Sequence, residues 1–196
     1  MSTLIAIPPA SVRPHPLRWT GEAFDRADES GAFDGRRVEL MNGEILEFPP
    51  MNDPHAQAIR LGDYALREIF PPDRVTISVQ CPMRLGEARP MPDFVVVAGT
   101  LRQIVQHPTA ALLVIKVSDS SLEYDRTEKA QLYAAHGIAD YWIINLNGRC
   151  LEVHRNPVRA ESGQWQYGEL RVYSGAQTAA PLAAPQVELK VADLLP

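Results

Sequence analysis

The sequence is short of cysteine, of basic charge and of long apolar runs, and each shortage excludes a class of protein. Its two cysteines, Cys81 and Cys150, lie far apart and match no metal or redox spacing. Free thiols in a reducing cytoplasm are the reading that follows. The chain carries 19 Lys and Arg against 24 Asp and Glu, a net charge of −5. Loose, charge-driven binding of nucleic acid wants a basic surface, which this balance does not supply. A local basic cleft is still compatible with it. No stretch approaches the length of a membrane span. The opening Met1-Ser2-Thr3-Leu4-Ile5-Ala6-Ile7-Pro8-Pro9 has no basic segment and too short an apolar run for a signal peptide. No internal repeat, zinc finger or helix-turn-helix is visible. A cytoplasmic protein without a membrane partner is expected.

The 196 residues, 45% hydrophobic and 22% charged, are enough for one domain with a real core. Pro8, Pro9, Pro14 and Pro16 disfavour regular structure over 1–17, which reads as an extended arm that could pack on a partner subunit. The domain proper is 18–196. Thr20 can cap a short helix over 21–30, with Glu22 and Asp25 suiting its positive end. Arg37 to Phe48 alternates around Asn42-Gly43, the strongest short hairpin signal. Asp53 as N-cap and Pro54 at the first helical position open a helix that Pro71-Pro72 ends.

Strands follow at about 74–80 and 92–98, with 82–91 as a loop or a loop with a short strand. The apolar run Ala111–Val117 suggests a central strand buried on both faces. A helix over Glu123–His136 and a strand over Ala139–Leu146 complete a crossover unit. Asn147-Gly148 turns the chain into a strand at Cys150–Arg155. The tail holds a strand at 164–173, an Ala/Pro-rich connector and a short element at 187–195.

Several residues in this frame carry chemistry. Asp93, after a proline that cannot donate to a sheet ladder, can project into a cleft and offer a hard oxygen to Mg²⁺ or Mn²⁺. Turn chemistry alone also favours Asp there. Val114, Lys116 and Ser118 share one strand face. A Lys in an apolar run either snorkels out of the strand end or pairs with a carboxylate such as Asp93. Asp125 and Lys129 are four apart on the next helix, the spacing of a routine surface salt bridge. Ser118-Asp119-Ser120-Ser121 can cap that helix or offer donors to a phosphate. Glu39 and Glu44 occupy polar hairpin positions that usually face solvent. His55 is in the first turn of its helix, where surface or capping histidines are common.

Taken in order, these segments resemble the Uma-type restriction endonucleases, a bacterial branch of the PD-(D/E)XK nuclease superfamily. The matching runs are Val38-Glu39-Leu40-Met41-Asn42-Gly43-Glu44-Ile45, His55, Pro92-Asp93, Val117-Ser118-Asp119-Ser120-Ser121-Leu122, Tyr124-Asp125, Lys129, Leu132-Tyr133, Gly137-Ile138 and Tyr141-Trp142-Ile143. The resemblance implies an α/β fold: a restriction-endonuclease-like mixed β-sheet flanked by helices, with an N-terminal helix and β-hairpin. It implies hydrolysis of DNA phosphodiester bonds with Mg²⁺ or Mn²⁺, and a homodimer by analogy with nucleases that cut as pairs. It assigns the metal to Asp93, to the Val117 carbonyl and to Glu44. Lys129 corresponds to a Lys moved onto the helix while keeping its electrostatic role, and Ser118 stands where the wider superfamily has that Lys. Asp125, Glu39 and His55 support the site.

The departure is at position 116. The family has Glu there, and this chain has Lys116. That replacement removes an oxygen ligand and puts a cation where a divalent cation belongs. An ion pair between Lys116 and Asp93, partly filling the metal position, is expected, with metal affinity and cleavage much reduced. The alternative is a catalytically inactive nuclease fold serving as a DNA-binding or protein-interaction module.

Overall fold

The computed structural model describes residues 15–196. Most of the expected arm over 1–17 therefore lies outside the described residues. Thr20 caps α1 (Gly21–Glu29), its side-chain oxygen accepting from the Ala23 N–H at 3.2 Å. Next is a hairpin, β1 (Arg37–Met41) and β2 (Glu44–Phe48), in full antiparallel register. Asn42 and Gly43 both take positive φ, 51° and 74°, the turn that matches strand twist.

α2 (Asp53–Ile69) starts one residue earlier than the sequence reading placed it. Asn52, not Asp53, is the cap: its side chain accepts from the His55 N–H at 3.0 Å. An Asn and an Asp are equally good caps, so only the backbone decides between neighbours.

The main sheet has six strands: β3 (Val75–Val79), β4 (Phe94–Ala98), β5 (Leu113–Ser118), β6 (Asp140–Asn145), β7 (Cys150–Arg159) and β8 (Trp165–Ser174). They lie in sequence order, and only β5 and β6 run parallel. The connection between those two is helical: α3 (Leu122–Tyr124), a π-helical turn (Asp125–Lys129) and α4 (Ala130–Ala135). A single helix was expected there. A short ladder, β9 (Thr178–Ala179) with β10 (Leu189–Lys190), and a 3-10 turn at Val191–Leu194 close the chain.

Alternation along the strands divides the core in two. Leu113, Ile115 and Val117 join Phe94, Val96, Trp142 and Ile144 under Ala58, Ala65 and Leu66 of α2. Val95, Val114, Tyr141 and Ile143 face the other way, onto Ala130 and Tyr133. The next residues with the parity of Val95 and Val114 are Asp93, Lys116 and Ser118. The polar group thus continues the second apolar layer at the end of the sheet where β4 begins and β5 ends. The segment before β4 is not a free loop. Met83 and Leu85 are buried, and Arg89 bridges to Leu40 of β1. Arg89 also grips Asp25 of α1 with two bonds, Nε to Oδ1 at 2.7 Å and a terminal nitrogen to Oδ2 at 2.9 Å.

Two measurements probe this frame. A Cβ at Gly62 of α2 would sit 2.8 Å from the Phe94 ring. Gly62→Ala should destabilise by about 1–2 kcal/mol in urea unfolding, because overpacking outweighs the helix-propensity gain. Asp25 is held below the usual carboxylate range, chiefly by the Arg89 hydrogen bond against the opposing effect of burial. A depressed folded value means stability that is present above the unfolded pKa and lost as pH falls through the folded one. Asp25→Asn should therefore cost about 2 kcal/mol at neutral pH, and the gap from wild type should close as pH falls through the depressed folded pKa.

Candidate active site

Register alone sets Asp93 against Lys116. Phe94 pairs with Ile115 in the antiparallel β4–β5 ladder, so one step further brings these two side by side. The Asp93 carboxylate is fully buried. Its Oδ2 accepts from the Val117 N–H at 2.8 Å and meets Lys116 Nζ at 3.0 Å. Its Oδ1 faces His55 Nε2 at 3.3 Å and an Arg37 terminal nitrogen at 3.4 Å. Burial would raise the Asp93 pKa; the Lys116 ammonium, then His55 and the Val117 amide, more than offset that and hold it far below the usual range. The expected Lys116–Asp93 ion pair is present.

Asp125 and Lys129 are also buried, and they do not pair with each other. The surface salt bridge that their spacing suggested is replaced by two separate inward contacts. Asp125 Oδ2 accepts from the Ser118 hydroxyl and from Ser121 Oγ at 2.7 Å. Burial pushes its carboxyl up, partly countered by Lys116 and the two hydroxyls. Lys129 turns instead to Glu39 of β1, which accepts its hydrogen bond. Burial, with Arg37 nearby, pushes the Lys129 ammonium well below the ordinary lysine range. The Phe48 and Tyr124 rings lie 5.9 and 5.8 Å from its Nζ. The π turn makes this possible: its extra residue per turn re-aims Asp125 and Lys129 inward. Such turns recur at functional sites.

The hairpin contributes differently from expectation. Glu44 does not join the cluster: it is exposed and paired with Arg18 at 2.5 Å. Glu39, taken as a solvent-facing position, is the buried acid. Adjacent strand positions cannot both look inward, and Val38 and Leu40 are committed to the Phe24 cluster. That leaves Arg37 and Glu39 for the other face. Arg37 was not singled out from the sequence. Its parity with Glu39 at the start of β1 was the available signal. His55 reaches the cluster because the Asn52 cap fixes the first turn of α2 beside Asp93. Val117 enters through its N–H rather than through a demonstrated carbonyl contact.

The residues present do not fit a divalent cation. Mg²⁺ and Mn²⁺ want several carboxylate and water oxygens around one point. Among the described residues no group of three or more His, Cys, Asp or Glu side chains converges in that way. Asp93 is the acid nearest Lys116, and the ammonium stands where a second carboxylate would be needed. An ammonium about 4 Å from a divalent ion repels it by about 8 kcal/mol at an effective dielectric near 20. Asp125 and Glu39 are bound to hydroxyls and to Lys129.

Comparison with known proteins gives one family and one fold. The Uma2 family model, described as "Putative restriction endonuclease", matches residues 22–192. A crystal structure from Anabaena variabilis, described as a "putative nuclease", is similar with a TM-score of 0.69 at 16% identity. The match covers 89% of this chain and 96% of that one. No curated protein matches the chain. Among the described residues no helix is long and apolar enough to cross a membrane.

The Glu39–Lys129 pair can be tested as a unit. Removing either partner, by Glu39→Leu or Lys129→Met, should cost about 3–5 kcal/mol by leaving a buried charge unmatched. The double variant should be more stable than either single one. A double-mutant cycle in urea reads this directly; additive losses would show that the two side chains are not coupled.

Proposed function

The chain belongs to the Uma2 family of "Putative restriction endonuclease" proteins, and on that premise we propose that it is a DNA-directed nuclease whose metal-dependent hydrolysis is strongly reduced by Lys116. The observation that carries this reading is the Lys116 Nζ, 3.0 Å from Asp93 Oδ2. Phosphodiester hydrolysis needs an activated water and a countercharge for the negative charge that builds on the phosphate. A divalent ion between two carboxylates supplies both. Lys116 supplies only countercharge, and it engages the carboxylate that would hold the ion.

The rest of the site suits a nuclease. Asp93 is at the end of a central strand. Arg37, His55 and Lys116 surround it from three different elements. Restoring an acid at 116 is thus the one change that would bring two carboxylates together. DNA as substrate, Mg²⁺ or Mn²⁺ as a cofactor whose binding Lys116 impairs, and a homodimer in the cytoplasm belong to the same proposal. They rest on family analogy. The second reading, a nuclease fold kept as a DNA-binding or protein-interaction module, draws on the same lysine and on the full engagement of Asp125 by Ser118 and Ser121.

Calorimetry with Mn²⁺ and a plasmid-nicking assay separate the two. Lys116→Glu should bind Mn²⁺ at least about a hundredfold more tightly than wild type, since more than 3 kcal/mol of repulsion is removed. It should nick plasmid in Mn²⁺, and Asp93→Ala added to it should abolish nicking. Without metal, Lys116→Glu should be less stable than wild type, and Mn²⁺ should restore its melting temperature. Equally tight Mn²⁺ binding by both proteins would sink the proposal. DNA binding with no cleavage by either would favour the module.

A further inference from the structure

Beside the Asp93 cluster is a small cavity of about 70 Å³ lined by Arg37, Asn52, His55, Ser120 and Ser121. Phe48, Pro49, Pro50 and Met51 form its apolar rim. The carboxylates of Glu39, Asp93 and Asp125 are not on its wall. Its one acid is Asp119, whose Oδ2 is engaged by the Asn52 amide at 2.8 Å. Beside Asp119 the wall therefore presents the Arg37 guanidinium, an imidazole, an amide and hydroxyls, a donor set suited to an anion.

The Lys116–Asp93 pair is what leaves Arg37 and His55 only loosely engaged. Asp93 is met most closely by Lys116 at 3.0 Å and by the Val117 N–H at 2.8 Å. Arg37 and His55 reach its other oxygen only at 3.4 and 3.3 Å. With the Asp93 charge matched by Lys116, the 3.4 Å contact to Asp93 is the one salt bridge Arg37 makes among the described residues. Among the described residues Asp93 is the sole hydrogen-bond partner of the Arg37 guanidinium, which keeps most of its five N–H groups for a ligand. Lys116 is more than nine-tenths buried, so its role is fixed behind the wall rather than in solvent.

We propose that this cavity is a metal-independent phosphate site, in which Arg37 with His55 and Ser120 holds one phosphate group of a nucleic acid while Lys116 neutralises Asp93. The substitution at 116 then exchanges one ligand charge for the other: a site that would gather cations gathers an anion. Arg is the side chain whose planar fork matches phosphate oxygens. The inference rests on the assignment of this cluster as the substrate-facing site of the proposed nuclease.

The test is run in EDTA on the full chain, with inorganic phosphate in calorimetry and with short oligonucleotides in a competition assay. Wild type should bind phosphate without a divalent ion, and phosphate should displace the oligonucleotide. Arg37→Ala should weaken phosphate binding by about tenfold or more, the value of a charge-assisted contact. Lys116→Met, which returns Arg37 to Asp93, should weaken it as well. If free phosphate binds but does not displace the oligonucleotide, the ligand is a free phosphate and the nucleic-acid part of the proposal is overturned. No phosphate binding in EDTA, or binding unchanged by both variants, overturns the site itself. Mn²⁺-dependent nicking by Lys116→Glu is read separately, so a failed nuclease reading and a failed anion site give different results.

Discussion

A single buried carboxylate organises this molecule. Asp93 has no exposed surface, and an ionised acid in that position must be met by cations and hydrogen bonds or it becomes neutral. β5 supplies the Lys116 ammonium and the Val117 N–H, α2 supplies His55, and β1 supplies Arg37. The hairpin, the long helix and the two central strands are thereby tied to one point. Their apolar faces fix where the elements lie; the charge on Asp93 decides which side chains must converge.

Around that point the protein arranges a polar layer in an otherwise apolar interior. The Asp125 carboxylate is satisfied by Ser118 and Ser121, and Glu39 accepts from Lys129. Each contact links a different pair of elements, and the π turn between α3 and α4 makes the inward aim of Asp125 and Lys129 possible. Buried polar groups of this kind contribute little net stability, yet each is costly to leave unpaired. The layer constrains geometry more than it adds to the folding free energy. Register places Lys116 against Asp93, and the surrounding polar contacts hold the neighbouring side chains to that arrangement.

Much of the frame was legible from pattern. The hairpin around Asn42-Gly43, the buried run before Lys116 and the strand at Tyr141-Trp142-Ile143 are each dictated by local chemistry. They fall within a residue or two of their expected bounds. Even the Lys116–Asp93 pair could be anticipated, because an ammonium in an apolar strand demands a partner. The hairpin acids were less legible. Glu39 and Glu44 look alike in an alternating sequence, and only the packing of Val38 and Leu40 on Phe24 turns Glu39 inward. Asp125 and Lys129 have ordinary helix spacing, and nothing in the residues announces a π turn.

The sequence by itself determined the order of elements, the two-sided burial of the central strands and the identity of the cation at position 116. These depend on periodicity and on residue type, which are local properties. Tertiary structure alone decided that Glu39 rather than Glu44 faces the cluster, that Lys129 pairs across to β1, and that Arg37 borders a cavity whose one acid is Asp119. Those outcomes depend on which faces of distant elements meet. A side chain's parity names its neighbours on the strand; only the fold names what stands opposite.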